Sequence, residues 1–380
     1  MVFAWVRGPG VQPLSPGKGV PGSSLPFTFP LVHFAHVQGD HRAMGIANSA
    51  GTSRRAMLAV PILGAFGVTA GAIEVLPIDT LDERIKTAGL AYDHRPPADT
   101  LAVVLPLARG AVLGARQTRS AGRRSAYTRL AARGHLLAGQ AFTHTGRTER
   151  ARQALFAAGQ EAQAIGDIHT RAHVLALSAR IADKAGHRKA AVELARQGRR
   201  VAPRNSPMEA MLAIKYEAGA LSSTYRTSEI AVAIRAGDRA FARSGEQRDP
   251  PRGWSFLDDG IHPGDLALSA AGALAAAREP VGEWLEVAQA DADSSGAHAM
   301  RAAVRIVSAR DAVNRRDFDA ASQALNEAVT ICPDARTWLA REVLEVAGLI
   351  RAGGGGAVDA AVTAQGWLGL PRRPGDSTQI

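Results

Sequence analysis

Two histidines four residues apart, His169 and His173, form the pair whose spacing in this sequence suits metal chemistry. On a helix, this spacing puts both imidazoles on one face, as in a two-histidine zinc pair. The glutamate that would act as general base is missing from the motif, and no third ligand is evident in the sequence. We therefore interpret both as surface or groove histidines and predict no metal and no cofactor.

Other residues capable of catalysis have simpler explanations. Cys332, the single cysteine, lies on an apolar helical stripe, which predicts an inert buried thiol and excludes a disulfide scaffold. The glycine run 353–356 follows no strand and precedes no Lys-Ser/Thr pair, so it reads as a hinge rather than a phosphate loop. Four acids near predicted helix ends suit capping better than hydrolysis: Asp258, Asp259, Asp291 and Asp293. With no nucleophile–base pair, we predict that the protein is not an enzyme.

Arginines are concentrated between Arg116 and Arg152, where nine arginines accompany one acidic residue, Glu149. Such a patch attracts nucleic acid, an acidic protein or an anionic lipid surface. The alternative is an ordinary solvated helix face, because an arginine-rich chain with a net charge of +10 over 380 residues also fits the codon bias of a GC-rich genome. The patch comprises Arg116, Arg119, Arg123, Arg124 and Arg129.

Aromatic side chains make up 5% of the chain, so the pair Trp254 and Phe256 beside Pro250 and Pro251 stands out. One interpretation is an aromatic anchor on a concave surface that binds a peptide or a small ligand. The other is a structural plug between helix pairs. Six residues are predicted to line a partner-binding groove: Arg133, His169, His173, Lys215, Trp254 and Phe256.

The elements that must position these residues are helices. From about residue 80 to residue 350, apolar residues recur with helical periodicity, and alternating β-branched runs are absent from the sequence. Three segments share a turn position at Gly146, Gly186 or Arg316, a small residue five positions later and another seven positions after that. Small residues at this spacing allow two helices to pack closely. The small residues are Ala151, Ala191 and Ala321, followed by Ala158, Gly198 and Ala328.

The helix that precedes Gly186 is apolar over most of its circumference, which is typical of an inner helix of a solenoid. One stripe comprises Ile168, Ala172, Leu175, Ala179 and Ala182, and a second comprises Val174, Leu177 and Ile181. We expect this helix to be buried between its neighbours.

The repeated helix–turn–helix pattern resembles tetratricopeptide repeats. The arginine-rich helices, the repeats, the loop at 248–256 and the closing segments at 316–333 and 337–349 together resemble the C-terminal regulatory half of actinobacterial Xre-type helix-turn-helix transcriptional regulators. The resemblance covers residues 78–350 and implies a degenerate repeat array that serves transcriptional regulation. It departs from that family in having no recognition helix upstream of Ser53. Direct DNA binding is therefore not predicted: the DNA reader is either lost or replaced at the chain start.

The N-terminal region differs from the rest. Residues 1–52 are rich in Pro and Gly and read as disordered. Arg54 and Arg55 precede an uncharged run, 56–73, that resembles a twin-arginine export signal. The pair lies more than fifty residues into the chain and the run contains Pro61, so we favour a linker in a cytoplasmic protein. Export or membrane tethering is the alternative.

The sequence thus predicts an all-α, tetratricopeptide-like solenoid that binds a peptide, a protein partner or a small signal, with a homodimer as a further option. Its predicted parts are a disordered segment (1–52), an apolar or signal-like linker (53–76), the solenoid (77–350), and a Gly hinge, weak helix and disordered tail (351–380).

Overall fold

A computed structural model describes residues 75–92, 95–222, 224, 226–245, 261–332, 337–356 and 358–368, and within them every regular element is a helix. The all-α prediction is therefore confirmed. The predicted disordered segment 1–52 and nearly all of the linker 53–76 lie outside the described residues. The helices are α1 (Ile78–Leu90), α2 (Pro97–Gln117), α3 (Ala121–His144), α4 (Thr148–Ala164), α5 (Ile168–Lys184), α6 (Arg188–Val201), α7 (Pro207–Met211), a π-helical segment (Leu212–Ala218), α8 (Gly219–Ser222), α9 (Thr227–Arg243), α10 (Pro263–Ala276), α11 (Glu283–Ser295), α12 (His298–Asn314), α13 (Phe318–Ile331), α14 (Thr337–Ala352) and α15 (Val358–Trp367).

Four of the turns between successive helices share one geometry. Gly146, Gly166 and Gly186 all have φ between 72° and 80°, the left-handed region that glycine enters without steric cost. Arg316 takes the same conformation at φ 62°. After each turn a backbone N–H donates back to a carbonyl five residues earlier: Arg147 to Phe142 (2.9 Å), Asp167 to Ala162 (2.9 Å), His187 to Ala182 (2.8 Å) and Asp317 to Ala312 (2.9 Å). The positions aligned from the sequence therefore adopt the same helix-ending turn.

Aspartates after two of these turns start the next helix. The Asp167 side chain accepts the Thr170 backbone N–H at 3.0 Å, and that of Asp317 accepts the Ala320 N–H at 3.1 Å. Each carboxylate satisfies a donor that a helix N-terminus otherwise leaves unpaired.

The small residues of the repeat lie at the helix contacts, as the sequence predicts. Ala151, Ala191 and Ala321 have no solvent exposure, and neither do Ala158 and Ala328. At the remaining position, Gly198, an added Cβ would lie 2.6 Å from Leu212 Cδ2. The backbone of α6 therefore approaches the π-helical segment at a distance that only glycine permits without rearrangement.

The inner-helix prediction for α5 holds along most of its length. Ala172, Leu175 and Ala179 of the first stripe and Leu177 of the second are buried. Ile168 differs, because it is 41% exposed at the first position of the helix, where no neighbour covers it.

Two main apolar clusters organise the described residues. One extends from Tyr92 to Ala277 and includes α5, and the other extends from Ala299 to Ala364 and includes α14. Between them, small clusters rich in alanine join α10, α11 and α12. Beyond Ala352, Gly354 turns the chain with φ 92° into α15, and residues 369–380 lie outside the described residues.

Candidate functional site: a cationic cavity

A cavity of about 450 Å³ lies among α5, α6, the π-helical segment, α8, α10, α12 and α14. Small residues form much of its wall: Ala179, Gly219, Ala220, Ser222, Ser269, Gly272, Ala273, Ala275 and Ala276. Because these side chains are short, they leave room for a ligand and bring the helix backbones close to it. We call this space the central cavity.

Charged side chains line the central cavity and are unbalanced in sign. Six are cationic: Arg180, Lys184, Arg188, Lys215, Arg278 and Arg310. Three are acidic: Asp183, Glu342 and Glu345. The lining therefore carries a formal excess of three positive charges, which favours an anionic ligand.

One ion pair crosses the cavity between helices that are far apart in sequence. Lys184 Nζ on α5 donates to Glu342 Oε1 on α14 at 2.6 Å. Arg310 Nη2 on α12 lies 3.6 Å from Glu342 Oε2 and 3.0 Å from Glu345 Oε1. Burial alone would raise the pKa of Glu342, but the positive charges of Lys184 and Arg310 outweigh it and hold the pKa below its usual value. The cavity therefore already binds one carboxylate, which the protein itself supplies.

The pKa of Asp183 shifts in the opposite direction, upward. Burial raises its pKa, and the nearby charge of Glu342 raises it further, against the opposing effect of Lys184. An additional anion in the cavity would favour the protonated form of Asp183 still more.

Tyr216 lines the cavity from the π-helical segment, and 4% of the residue is exposed. Its buried hydroxyl has no hydrogen-bond partner among the described residues. Burial raises the pKa of Tyr216 to about 12, so the phenol is neutral and remains a donor at physiological pH. Buried polar groups are seldom left unsatisfied, and π-helical segments occur often at functional sites.

A carboxylate fixes the π-helical segment in place. The Glu217 side chain is 6% exposed and accepts hydrogen bonds from Arg196 Nε (2.7 Å) and Arg199 Nη1 (2.6 Å), both on α6. The hydrogen bond that Arg196 donates to Glu217 raises the pKa of Arg196. Since Glu217 is adjacent to Tyr216, this network holds the backbone that presents Tyr216 and Lys215 to the cavity.

An aromatic group contacts one of the cavity arginines. The Arg180 guanidinium carbon lies 5.7 Å from the ring centroid of Trp338, which is within cation–π range. On another side, Trp338 meets the His144 ring at a centroid distance of 5.9 Å, and His144 Nδ1 is 2.6 Å from the Tyr92 hydroxyl oxygen. These contacts orient Arg180 at the cavity.

Of the groove residues predicted from the sequence, Lys215 lines the central cavity, whereas Arg133, His169 and His173 do not. Arg133 Nη1 lies 3.4 Å from Asp82 Oδ1. His173 is 1% exposed inside the helix packing, and its burial, with smaller effects of His169 and Lys215, lowers its pKa to about 3. Trp254 and Phe256 lie outside the described residues.

The structure also places the other residues that the sequence analysis considered for metal binding, catalysis or a basic patch. Within the described ranges no grouping of three or more His, Cys, Asp or Glu side chains is arranged to hold a metal ion. Cys332 is buried in the C-terminal apolar cluster. Asp291 Oδ1 lies 2.7 Å from His262 Nδ1, a contact the sequence did not suggest, and Asp258 and Asp259 are outside the described residues. The five arginines of the basic patch are all exposed.

Most cavity residues were missed by sequence reasoning. Arg180 and Lys184 are four residues apart on α5, a spacing that places two cations on one helix face and was a usable signal. Glu342 and Arg310 gave no comparable signal, because their roles depend on how α14 and α12 pack against the rest of the protein.

No protein-family model matches the chain, and neither a curated protein nor a solved structure matches it. The fold places it in the broad class of all-α helical-repeat proteins. Among the described residues, α2 is a helix that is long enough and apolar enough to cross a membrane. Half of its apolar stretch is buried within the protein, a property that core helices share.

Proposed function

We propose that this chain is a regulatory helical-repeat protein that binds an acidic segment of a peptide or partner protein in the central cavity. The observation that carries the proposal is the excess of six cationic over three acidic side chains around a small-residue wall. A small anionic signal would use the same chemistry. The proposal involves binding only, with no covalent step.

The cavity arginines would supply most of the recognition. Arg180 and Arg310 carry planar guanidinium groups that donate paired hydrogen bonds to a carboxylate. Arg180 is backed by Trp338, so less side-chain entropy is lost when it binds. A ligand carboxylate near Lys184 and Arg310 would compete with Glu342 for the same donors.

Binding can be measured with a fluorescein-labelled hexaglutamate peptide by fluorescence anisotropy at physiological salt. The double variant Arg180→Gln, Arg310→Gln should bind at least about tenfold more weakly, because a hydrogen bond to a charged group contributes about 1.5–3 kcal/mol. The matched control is Arg235→Gln, Arg243→Gln, two exposed positions on α9. Equal affinities of the two double variants would contradict the proposal.

Tyr216→Phe separates a ligand-binding role from a structural one. Removing a buried hydroxyl that has no hydrogen-bond partner among the described residues should leave the free protein as stable as wild type or stabilise it by about 1 kcal/mol. If that hydroxyl donates to the ligand, the same change weakens peptide binding. A variant that is less stable than wild type and binds equally well would show that the hydroxyl has a structural role instead.

We propose transcriptional control as the regulatory output, on the basis of the resemblance to Xre-type regulators, with the DNA reader supplied by a partner or by additional chain. Ligand binding would then act by shifting the packing of the repeats or the geometry of a dimer. Intact mass and cell fractionation of the endogenous protein test this output. A cytoplasmic product longer than this chain supports it, whereas a mature N-terminus just after Ala72 outside the cytoplasm would overturn it in favour of an exported protein.

A further inference from the structure

The turn between α2 and α3 concentrates positive charge more strongly than any part of the central cavity. Between Asp99 and Glu149 the sequence contains no acidic residue. Four exposed arginines lie within nine residues around the turn: Arg116, Arg119, Arg123 and Arg124. We call residues 114–124 the hairpin tip.

Local contacts hold the hairpin tip in shape. The Ser120 Oγ accepts the Arg123 backbone N–H at 3.4 Å and caps α3. Arg124 Nη2 donates to the Thr118 carbonyl at 3.2 Å. A Cβ added to Gly114 would lie 2.6 Å from the Tyr127 ring, so the two helices pack closely just below the turn. Because the backbone is already ordered, little entropy is lost when a partner binds.

Helix α1 packs against α2 and α3 away from the hairpin tip. Its buried residues Leu81 and Ile85 belong to a cluster with Leu107, Ala111 and Leu130 of α2 and α3. The α1 carboxylate of Asp82 lies 3.4 Å from Arg133, which is nine residues beyond Arg124. This ion pair is therefore more than two helical turns from the tip arginines.

The chemistry of the tip favours the phosphates of a nucleic acid over those of a lipid surface. Arginine matches phosphate oxygens with paired donors, and all four tip cations are arginines. Membrane-surface binding usually adds apolar side chains that enter the acyl region. Among the described residues, the exposed large apolar side chains are Val103, Phe156, Ile168, Val232, Val287 and Leu349, and all of them lie outside the tip.

The geometry of the tip favours a duplex backbone over single strands or base edges. Two packed helices side by side are roughly 20 Å wide, whereas the major groove of about 12 Å admits one helix. Single-strand binding uses aromatic side chains on which bases stack. The aromatic residue nearest the tip, Tyr127, packs its ring on Gly114 and donates its hydroxyl to the Leu76 carbonyl at 3.1 Å.

We infer that the hairpin tip binds the phosphate backbone of double-stranded nucleic acid without reading its sequence. This contact is independent of the cavity ligand. It differs from a DNA-reading domain because it supplies affinity and orientation, while specificity must come from another part of the assembly.

Anisotropy of two labelled DNA duplexes of unrelated sequence tests the inference. Binding of wild-type protein should weaken with salt, with a slope of log K against log salt of about −0.9 per phosphate contact, or about −3.6 for four contacts. The variant Arg116→Gln, Arg119→Gln, Arg123→Gln, Arg124→Gln should lose most of this slope and bind at least about tenfold more weakly at about 50 mM salt. Both duplexes should give the same result.

Matched controls separate the tip from general basicity. Arg84→Gln, Arg204→Gln, Arg243→Gln, Arg315→Gln removes the same charge from exposed positions outside the tip and should retain the wild-type slope. The cavity variant Arg180→Gln, Arg310→Gln should also bind duplex normally, so that failure here and failure of the cavity proposal are distinguishable. The inference is overturned if the tip and control variants bind duplex equally, if wild type does not bind duplex at low salt, or if the tip substitutions abolish binding to anionic vesicles and leave duplex binding intact.

Discussion

His173 is expected to make the protein less stable in mild acid, by an amount that the structure determines. The side chain lies inside the packing of α5 at 1% exposure. Desolvation is the largest cause of its low pKa of about 3, and the Coulombic effects of His169 and Lys215 act in the same direction. In the unfolded chain the same imidazole has a pKa of 6.5.

The sign of the effect follows from proton binding. Above pH 6.5 the imidazole is neutral in both states and the folded protein bears no penalty from it. As the pH falls below 6.5, the His173 imidazole binds a proton in the unfolded state but not in the folded state. The free energy of unfolding therefore falls by about 1.4 kcal/mol per pH unit. Between pH 7 and pH 5 the loss from His173 amounts to about 2 kcal/mol, and it continues until the pH approaches 3.

Urea unfolding of wild type and His173→Gln at pH 7, 6 and 5 measures this loss. Glutamine does not titrate, so the stability difference between the two proteins should move by about 2 kcal/mol in favour of the variant across this range. The control His298→Gln changes an exposed imidazole that meets water in both states and should follow wild type. A wild-type-to-variant difference that stays constant from pH 7 to pH 5 would refute the claim that burial keeps His173 neutral.

Three further substitutions test the helix packing and the ion pairs of Glu217. Gly134→Ala should destabilise the protein by about 1–2 kcal/mol in thermal or urea unfolding. The new Cβ would lie 2.9 Å from the Ala108 Cβ on α2, and this overpacking outweighs the gain in helix propensity. Gly122→Ala on the same helix meets nothing within 4 Å and should be neutral or stabilising by up to about 1 kcal/mol, so equal effects of the two changes would contradict the close approach. Glu217→Gln should lower the free energy of unfolding by about 1–3 kcal/mol, since it removes the buried charge between two partly exposed arginines of α6. It should also weaken hexaglutamate binding through the adjacent Tyr216. Unchanged stability would show that these ion pairs contribute little.

The helical repeat could be predicted because its determinants are local. Gly146 and Gly186 specify a left-handed turn by their own backbone freedom, and small residues such as Ala151 and Ala191 mark the contact face within the next two turns of helix. Arg316 shows the limit of that reasoning, since its alignment to the glycines came from neighbouring residues rather than from its own type. The predicted fold class and the predicted turn positions therefore agree with the structure.

The central cavity could not be predicted in the same way. The groove predicted from the sequence included His169 and His173, but His173 lies inside the packing, where desolvation decides its charge. The cavity instead depends on pairs such as Lys184 and Glu342, which are 158 residues apart and meet only after the intervening helices have stacked.

The sequence by itself thus determined that the chain is helical, where the repeated turns fall and which small residues lie at helix contacts, because those features arise from contacts within a few residues. Only the tertiary structure decided which cations of α5 and α12 face the acids of α14 and that the phenol of Tyr216 is buried at the cavity. Electrostatic and solvation energies depend on distances in space, and a repeat of nearly interchangeable helices does not encode those distances in any local pattern.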